Sequence, residues 1–240
     1  MKIQADLHTH TIASTHAYST IAENARAAAK KGIKAIAMTD HAPLMDDAPH
    51  IWHFENLGIL PRKIDDVIII KGAEVNIIDY DGNVDIYEGL LKRLEWVVAS
   101  LHGPCCPPGS VEENTHAYIK ACENTYIDVF GHPTTNEFQW DYEKGLRAVK
   151  EYDKIIEINE SSIRVRKGAA ENTKRMLELC KSLEIPVVVD TDAHYCEQIG
   201  DTPVCFELIE VVGFPNKLIL NLEWEQIKER ILNKHSGALM

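Results

Sequence analysis

The feature that most limits the fold is an alternation running the length of the chain. Short runs rich in Ile, Val and Ala fall near 3–7, 34–38, 67–71, 96–100, 126–130, 155–159 and 186–190. Most lack a polar residue at every second position. A strand with one solvated face needs that alternation, so these runs read as strands buried on both faces, as in a parallel sheet. Helical patterns fill the gaps at 20–31, 84–94, 111–124, 142–152, 169–183, 203–212 and 223–233. Ser110 with Glu112 and Glu113 behind it suits a helix N-terminus, and Gly32 closes the first helix. Parallel strands joined by helices require right-handed crossovers. About seven such units make an α/β barrel, a distorted (β/α)7 form one strand short of the eight-stranded standard. An open doubly wound sheet would ordinarily bring a glycine-rich phosphate loop, and none is present. With no linker, repeat or low-complexity stretch, residues 1–240 read as a single domain.

Composition enters where it excludes functions. The chain is long enough to bury a substantial core. Its formal net charge is -12, and a surface of that sign repels DNA, RNA and anionic membranes. Three divalent cations would add about six positive charges at one spot and change that locally. The apolar runs are too short to span a bilayer, and the first residues carry no signal-peptide core. A cytoplasmic address is therefore expected. Six cysteines, Cys105, Cys106, Cys122, Cys180, Cys196 and Cys205, form no CxxC pair and read as reduced, mostly packed thiols. The Cys105-Cys106 pair follows a candidate ligand histidine and is assigned no role.

The histidines are not scattered as surface residues would be. His8 and His10 end the first strand, with His16 just beyond. His41 ends the second strand, Glu74 the third, His102 the fourth and His132 the fifth. Asp192 and His194 end the last. In a barrel those ends form one face, so residues distant in sequence converge in space. In extended backbone, i and i+2 point the same way, so His8 with His10, and Asp192 with His194, can each grip one cation. Burying so many imidazoles and carboxylates without a cation would strand polar groups at high cost. Imidazole with carboxylate suits zinc, manganese or iron better than magnesium.

These same residues carry a resemblance. DLHTHT at 6–11, His16, TDH at 39–41, Glu74, LHG at 101–103, GHP at 131–133 and TDAH at 191–194 resemble the polymerase and histidinol phosphatase (PHP) family. The text at 49–54 and INESS at 158–162 is similar to the stand-alone YcdX-type phosphatases. There are two departures. Glu160 stands where an uncharged Asn is expected, and Asp190 where a small residue is expected; each would alter charge near a substrate. The resemblance implies a PHP-type TIM-like barrel with a trinuclear site, usually zinc, sometimes manganese or iron. One cation would take His8, His10, Glu74 and Asp192, a second Glu74, His102 and His132, and a third His16, His41 and His194. Glu74 would bridge the first two, which its two oxygens permit.

The implied activity is a phosphomonoesterase acting on a small phosphorylated metabolite. A metal-bridging hydroxide would attack phosphorus, with Glu74, Asp192 and His194 as its catalytic ligands. The general acid is not evident; a metal-bound water or Asp40 are candidates. Asp6 and Asp40 stand near ligand histidines, as tautomer-fixing partners or as strand-end caps. His53, in a loop with His50 and Trp52, and the cations Arg164, Arg166 and Lys167 after the sixth strand are candidates for binding substrate. His116 and His235 are expected to take no part, and Trp96 and Trp224 to pack. A phosphodiesterase or 3'-5' exonuclease is the first alternative, disfavoured by the acidic chain. An amidohydrolase-type C–N hydrolase is the second, disfavoured because Glu74 stands where a bridging lysine would be needed. A structural zinc module would close each site with four protein ligands. Oligomeric state, including a homo-oligomer, is left open.

Overall fold

The computed structural model describes residues 1–234; His235 lies outside the described residues. The strands are β1 (Ala5–Thr9), β2 (Ala35–Met38), β3 (Lys63–Ile64), β4 (Val67–Asn76), β5 (Trp96–Ser100), β6 (Val129–Phe130), β7 (Ile155–Asn159) and β8 (Val187–Asp190). The helices are α1 (Ile21–Lys30), α2 (Trp52–Glu55), α3 (Glu88–Leu91), α4 (Val111–Cys122), α5 (Tyr142–Glu151), α6 (Glu160–Val165), α7 (Ala169–Leu183), α8 (Pro203–Val212) and α9 (Trp224–Lys234). Strands β1, β2, β4, β5, β6, β7 and β8 pair in that order, all parallel. The expected (β/α) barrel is therefore present, nearly closed. No helix among the described residues is long and apolar enough to cross a membrane.

Where elements differ from the sequence reading, local chemistry explains it. Strand β3 pairs antiparallel with the start of β4, through Asp65 and Asp66, both at positive φ. Two such residues make the tight turn that a right-twisted hairpin requires. The helix expected over 84–94 shrinks to α3, because its first residues are used elsewhere. Val84 bridges to Ile77, and the Asp85 carboxylate accepts from the Asn76 and Leu44 amides. Capping boxes start α1 and α4, Thr20 with Glu23 and Ser110 with Glu113.

Two apolar layers form. Between strands and helices lie side chains such as Ile36, Ile69, Val97, Leu90, Ala117 and Met176. Inside the barrel, Ala5, Leu7, Ala35, Ala37, Ile70, Trp96, Val98, Val129, Ile155 and Val188 pack together, and Trp224, Ile227 and Ile231 of α9 pack against them. Strand period two continues this inward-facing set towards the C-terminal ends, where it turns polar: Ile70 leads to Glu74, Val98 to Ser100, and Ile155 to Glu157. In β1 the register to β2 shifts between Asp6 and Thr9. This bulge re-aims the strand after Leu7, so that His8 reaches across to Glu157 on β7 at 2.7 Å.

Strands β1 and β8 close the barrel with little backbone pairing. A single bridge joins Thr9 to Ala193. Below it, the Leu7 amide donates to Asp190 Oδ1 at 2.8 Å. Lower still, the fully buried Asn221 inserts its amide into the gap. Its Oδ1 accepts from Val189, and its Nδ2 donates to the carbonyls of Ala5 and Val189. One side chain thus does for this seam what a strand residue does elsewhere. Replacing Asn221 with Ala would strand an amide and two carbonyls in the interior, at a cost of about 3 kcal/mol. We predict a melting temperature lower by about 6–12 °C for Asn221→Ala, read by circular dichroism. A shift within error of zero would show that the seam is held by other contacts.

Candidate metal centre

All nine candidate residues stand at the C-terminal ends of the barrel strands or in the loops just beyond. Glu74 is at their centre and fully buried. Its Oε2 faces His8 Nε2 at 3.4 Å, His10 Nε2 at 3.7 Å and His41 Nδ1 at 2.8 Å. Its Oε1 faces His132 Nε2 at 3.0 Å and His102 Nε2 at 3.4 Å, and accepts from Ser100 Oγ at 2.6 Å. Asp192 Oδ1 lies 3.1 Å from His10 Nε2 and 3.6 Å from His8 Nε2. The His194 ring stacks between those of His10 and His16, with centroids 4.2 and 4.3 Å away.

These donors fit divalent cations on two counts. First, buried atoms here lack hydrogen-bond partners: His8 Nε2, His10 Nδ1, His41 Nδ1, Glu74 Oε2 and His194 Nε2. The 2.8 Å approach of His41 to Glu74 is among them, so it lacks the alignment of a hydrogen bond. Second, the spacing is that of shared ligation. Donors on one tetrahedral zinc with bonds of about 2.1 Å sit roughly 3.4 Å apart, and the separations around Glu74 and Asp192 span that value. Ligating atoms also converge within 4.8 Å in the groups His8–His10–Glu74, His41–Glu74–His102, His10–His41–His194 and His16–His41–Asp47.

The electrostatics show what this crowding does. Burial works to raise the Glu74 carboxyl, but His8, His102 and His41 hold it well below the carboxylate range. Asp192 is likewise lowered against burial, by His8 and His10. Burial pushes His10 down to about 3 and, with help from the Arg166 charge, His132 to about 4. Both imidazoles are thus neutral, the form that binds metal.

A second set of residues aims the imidazoles. His8 Nδ1 bonds Glu157 Oε1 at 2.7 Å, His102 Nδ1 bonds Asn76 Oδ1 at 2.7 Å, and His16 Nδ1 bonds Asp47 Oδ2 at 2.6 Å. Asn76 is itself fixed by Asp85, which accepts from its Nδ2 at 2.6 Å. Each bond leaves Nε2 as the outward donor. The sequence reading missed Glu157, Asn76, Asp85 and Asp47. Glu157 and Asn76 carried a signal, since each is a polar residue at an inward position of an apolar strand. The loop residues Asp47 and Asp85 carried none.

The backbone also bends to serve the cluster. His132 and Asp192 both have positive φ, 32° and 55°, and such conformations cost about 1 kcal/mol or more apiece. Gly131 lets β6 run close to β5: a Cβ there would lie 2.3 Å from Ser100 Oγ, the hydroxyl bonded to Glu74.

The remaining candidates lie around the donor cluster. Asp40 touches no candidate ligand's ring; it accepts from Thr11 N, Thr11 Oγ1 and Ser14 Oγ, and meets His53 Nε2 at 3.3 Å. Asp6 accepts from Thr191 and Gly200. Both are strand-end braces. Asp190 belongs to the seam. Glu160 caps α8 through Val204 N and Cys205 N and holds Arg164 at 2.7 Å, so Arg164 is occupied. Lys167 is exposed, while Arg166 is the cation felt at His132. His53 is half-buried on Asp40, outside the cluster of donors. His116 pairs loosely with Asp81 at the surface. The Cys105 thiol is pushed up to about 12 by burial and nearby carboxylates, so it stays protonated.

Comparison with known proteins identifies the family. The PHP domain profile matches residues 6–163. A protein of Thermoanaerobacter sp. (strain X514) named probable phosphatase is 47% identical over 236 residues, covering 98% of this chain and 96% of that one. A probable phosphatase of Acetivibrio thermocellus is 43% identical over 234 residues, 98% of this chain and 97% of that one. Among solved structures, the histidinol phosphate phosphatase of Lactococcus lactis, complexed with zinc, L-histidinol and phosphate, shares the fold. Its TM-score is 0.61 at 17% identity, covering 88% of this chain and 94% of that one. On the strength of a profile spanning most of its length and relatives aligned end to end, this chain belongs to the PHP domain family.

Proposed function

We propose that the protein is a phosphomonoesterase that works through three divalent cations, zinc first, with manganese or iron as substitutes. The observation that carries this reading is the position of Glu74. Its two oxygens address two different sets of imidazoles, His8, His10 and His41 on one side and His102 and His132 on the other. A carboxylate so placed could serve two cations, one through each oxygen, which a lone structural zinc would not need. His8, His10, Glu74 and Asp192 would hold the first, and Glu74, His102 and His132 the second. His16, His41 and His194 would hold the third. Bound there, the cations supply Lewis acidity towards phosphate oxygens and acidify water to a nucleophile at neutral pH.

The chain's own residues do the rest. Glu157 and Asn76 lock the rings of His8 and His102 so that the donors are pre-set before substrate arrives. His16 and His194 are the more exposed donors and mark the side where substrate would enter. Of the three cations considered after the sixth strand, Arg166 is the one whose charge is felt at His132. The relatives named phosphatases, at over 40% identity across nearly the whole chain, support this chemistry. A small phosphorylated metabolite fits better than nucleic acid, because the overall charge of -12 repels a polyanion.

With zinc restored, p-nitrophenyl phosphate should turn over at least about 10-fold faster than the bis ester, a difference of roughly 1.4 kcal/mol in barrier. Equal or faster turnover of the diester, or of single-stranded DNA, would replace this reading with the phosphodiesterase one. Asp192→Asn and His41→Ala should each lower kcat by about 100-fold or more, with a native circular dichroism spectrum and less zinc per chain. Full activity in both variants would refute the site assignment.

A further inference from the structure

The family resemblance gives the third cation three imidazoles, but the structure groups His16 differently. The atoms that converge within 4.8 Å there are those of His16, His41 and Asp47. Asp47 sits in the loop after β2 and is largely buried, while the His16 side chain is 53% exposed. The contact between them is short, 2.6 Å from His16 Nδ1 to Asp47 Oδ2. It is also clamped from the backbone, since the Thr15 amide donates to the Asp47 carbonyl at 2.9 Å. Adjacent residues of the loop after β1 thus hold both the main chain and the side chain of Asp47. On the deeper side of the centre, Glu157 and Asn76 serve His8 and His102 in the same manner.

We infer that Asp47 is the positioning residue of the outermost cation site. This rests on the trinuclear reading above. The carboxylate accepts a hydrogen bond from Nδ1–H of His16, so that Nε2 carries the lone pair for the cation. A ring this exposed would otherwise sample other rotamers and both tautomers. The carboxylate also places a negative charge close to the donors of His16 and His41, which raises the hold on a divalent ion. The outermost site therefore has an anchor of its own, separate from Glu74, and its affinity can be altered without touching the inner pair.

The test uses the full-length protein, stripped and reloaded with zinc. Zinc per chain and the affinity of the weakest site are measured by competition with a chromophoric chelator. The forms compared are wild type, His16→Ala, Asp47→Ala and Asp47→Asn. In Asp47→Ala the His16-dependent zinc should bind about 10- to 100-fold more weakly, with the tighter equivalents unchanged. Asp47→Asn, which keeps size and an acceptor but not the charge, should fall between. The Thr15 clamp on the Asp47 carbonyl survives both substitutions, so a loss reports the carboxylate and not the loop. Unchanged affinity in both variants, with a His16-dependent zinc present in wild type, would overturn this inference and leave the proposed function standing. Wild type lacking any His16-dependent zinc would overturn both.

Discussion

A carboxylate buried without solvent must be offset by its neighbours, and Glu74 is the place where this chain meets that demand. Removing an ion from water costs several kcal/mol even in a relaxed interior. The charges of His8, His102 and His41 and the Ser100 hydroxyl offset part of it, while Oε2 keeps no hydrogen-bond partner of its own. Much around it reads as accommodation. The bulge in β1 re-aims the strand so that His8 faces in. Gly131 makes room for Ser100. His132 and Asp192 accept backbone conformations that cost energy. None of these stabilises the fold by itself; each crowds donors around one point. A sequence under selection for stability alone would favour apolar side chains there, which makes the cluster a functional expense.

The lower barrel offsets that expense. The same strands that present imidazoles at one end pack Ala, Ile, Val and Trp96 at the other, with Trp224, Ile227 and Ile231 of α9 against them. Each buried aliphatic side chain contributes about 1.5–3 kcal/mol against exposure. The weak point of this arrangement is the seam between β1 and β8, where pairing is sparse. Asn221 and Asp190 supply hydrogen bonds that a further strand would otherwise bring. Asp190 is thus the answer to a sequence puzzle: the carboxyl that departs from the expected pattern serves closure, and burial beside Glu157 and Asp6 raises its pKa well above the carboxylate range.

Much of this was legible because period and position were informative. Strands without polar alternation announced a parallel barrel, and histidines at their ends announced a shared face. What could not be read had two causes. Short elements such as β3 and α3 depend on a two-residue turn and on one side chain, Asp85, being taken by a distant amide. Polar partners such as Asp47 and Asp85 lie in loops, where no period constrains direction. Charged residues misled for a related reason. Arg164 and Glu160 read as candidates near substrate, yet they pair with each other across one helical turn and Glu160 then caps α8. Sequence shows a charge; it does not show whether a neighbour has already claimed it.

The burial gradient across the centre has a consequence for how an anion reaches it. His8, His10 and Glu74 are sealed from solvent, whereas the His194 side chain is 22% and that of His16 53% exposed. An incoming phosphate therefore meets the outer side first. It does so against a chain of net charge -12, whose general field repels it. Beyond a Debye length of about 8 Å that repulsion is screened, so capture depends on charge close to the opening. On the proposed reading the cations supply that charge, and the Arg166 charge felt at His132 adds to it. An acidic surface with a small cationic mouth admits a compact dianion, because one phosphate group fits wholly within the local positive field. It discriminates against a polyanion, whose remaining phosphates would lie against the acidic exterior. On the proposed reading, selection for small phosphate esters would follow from where the positive charge is confined, before any contact with the rest of the substrate is considered.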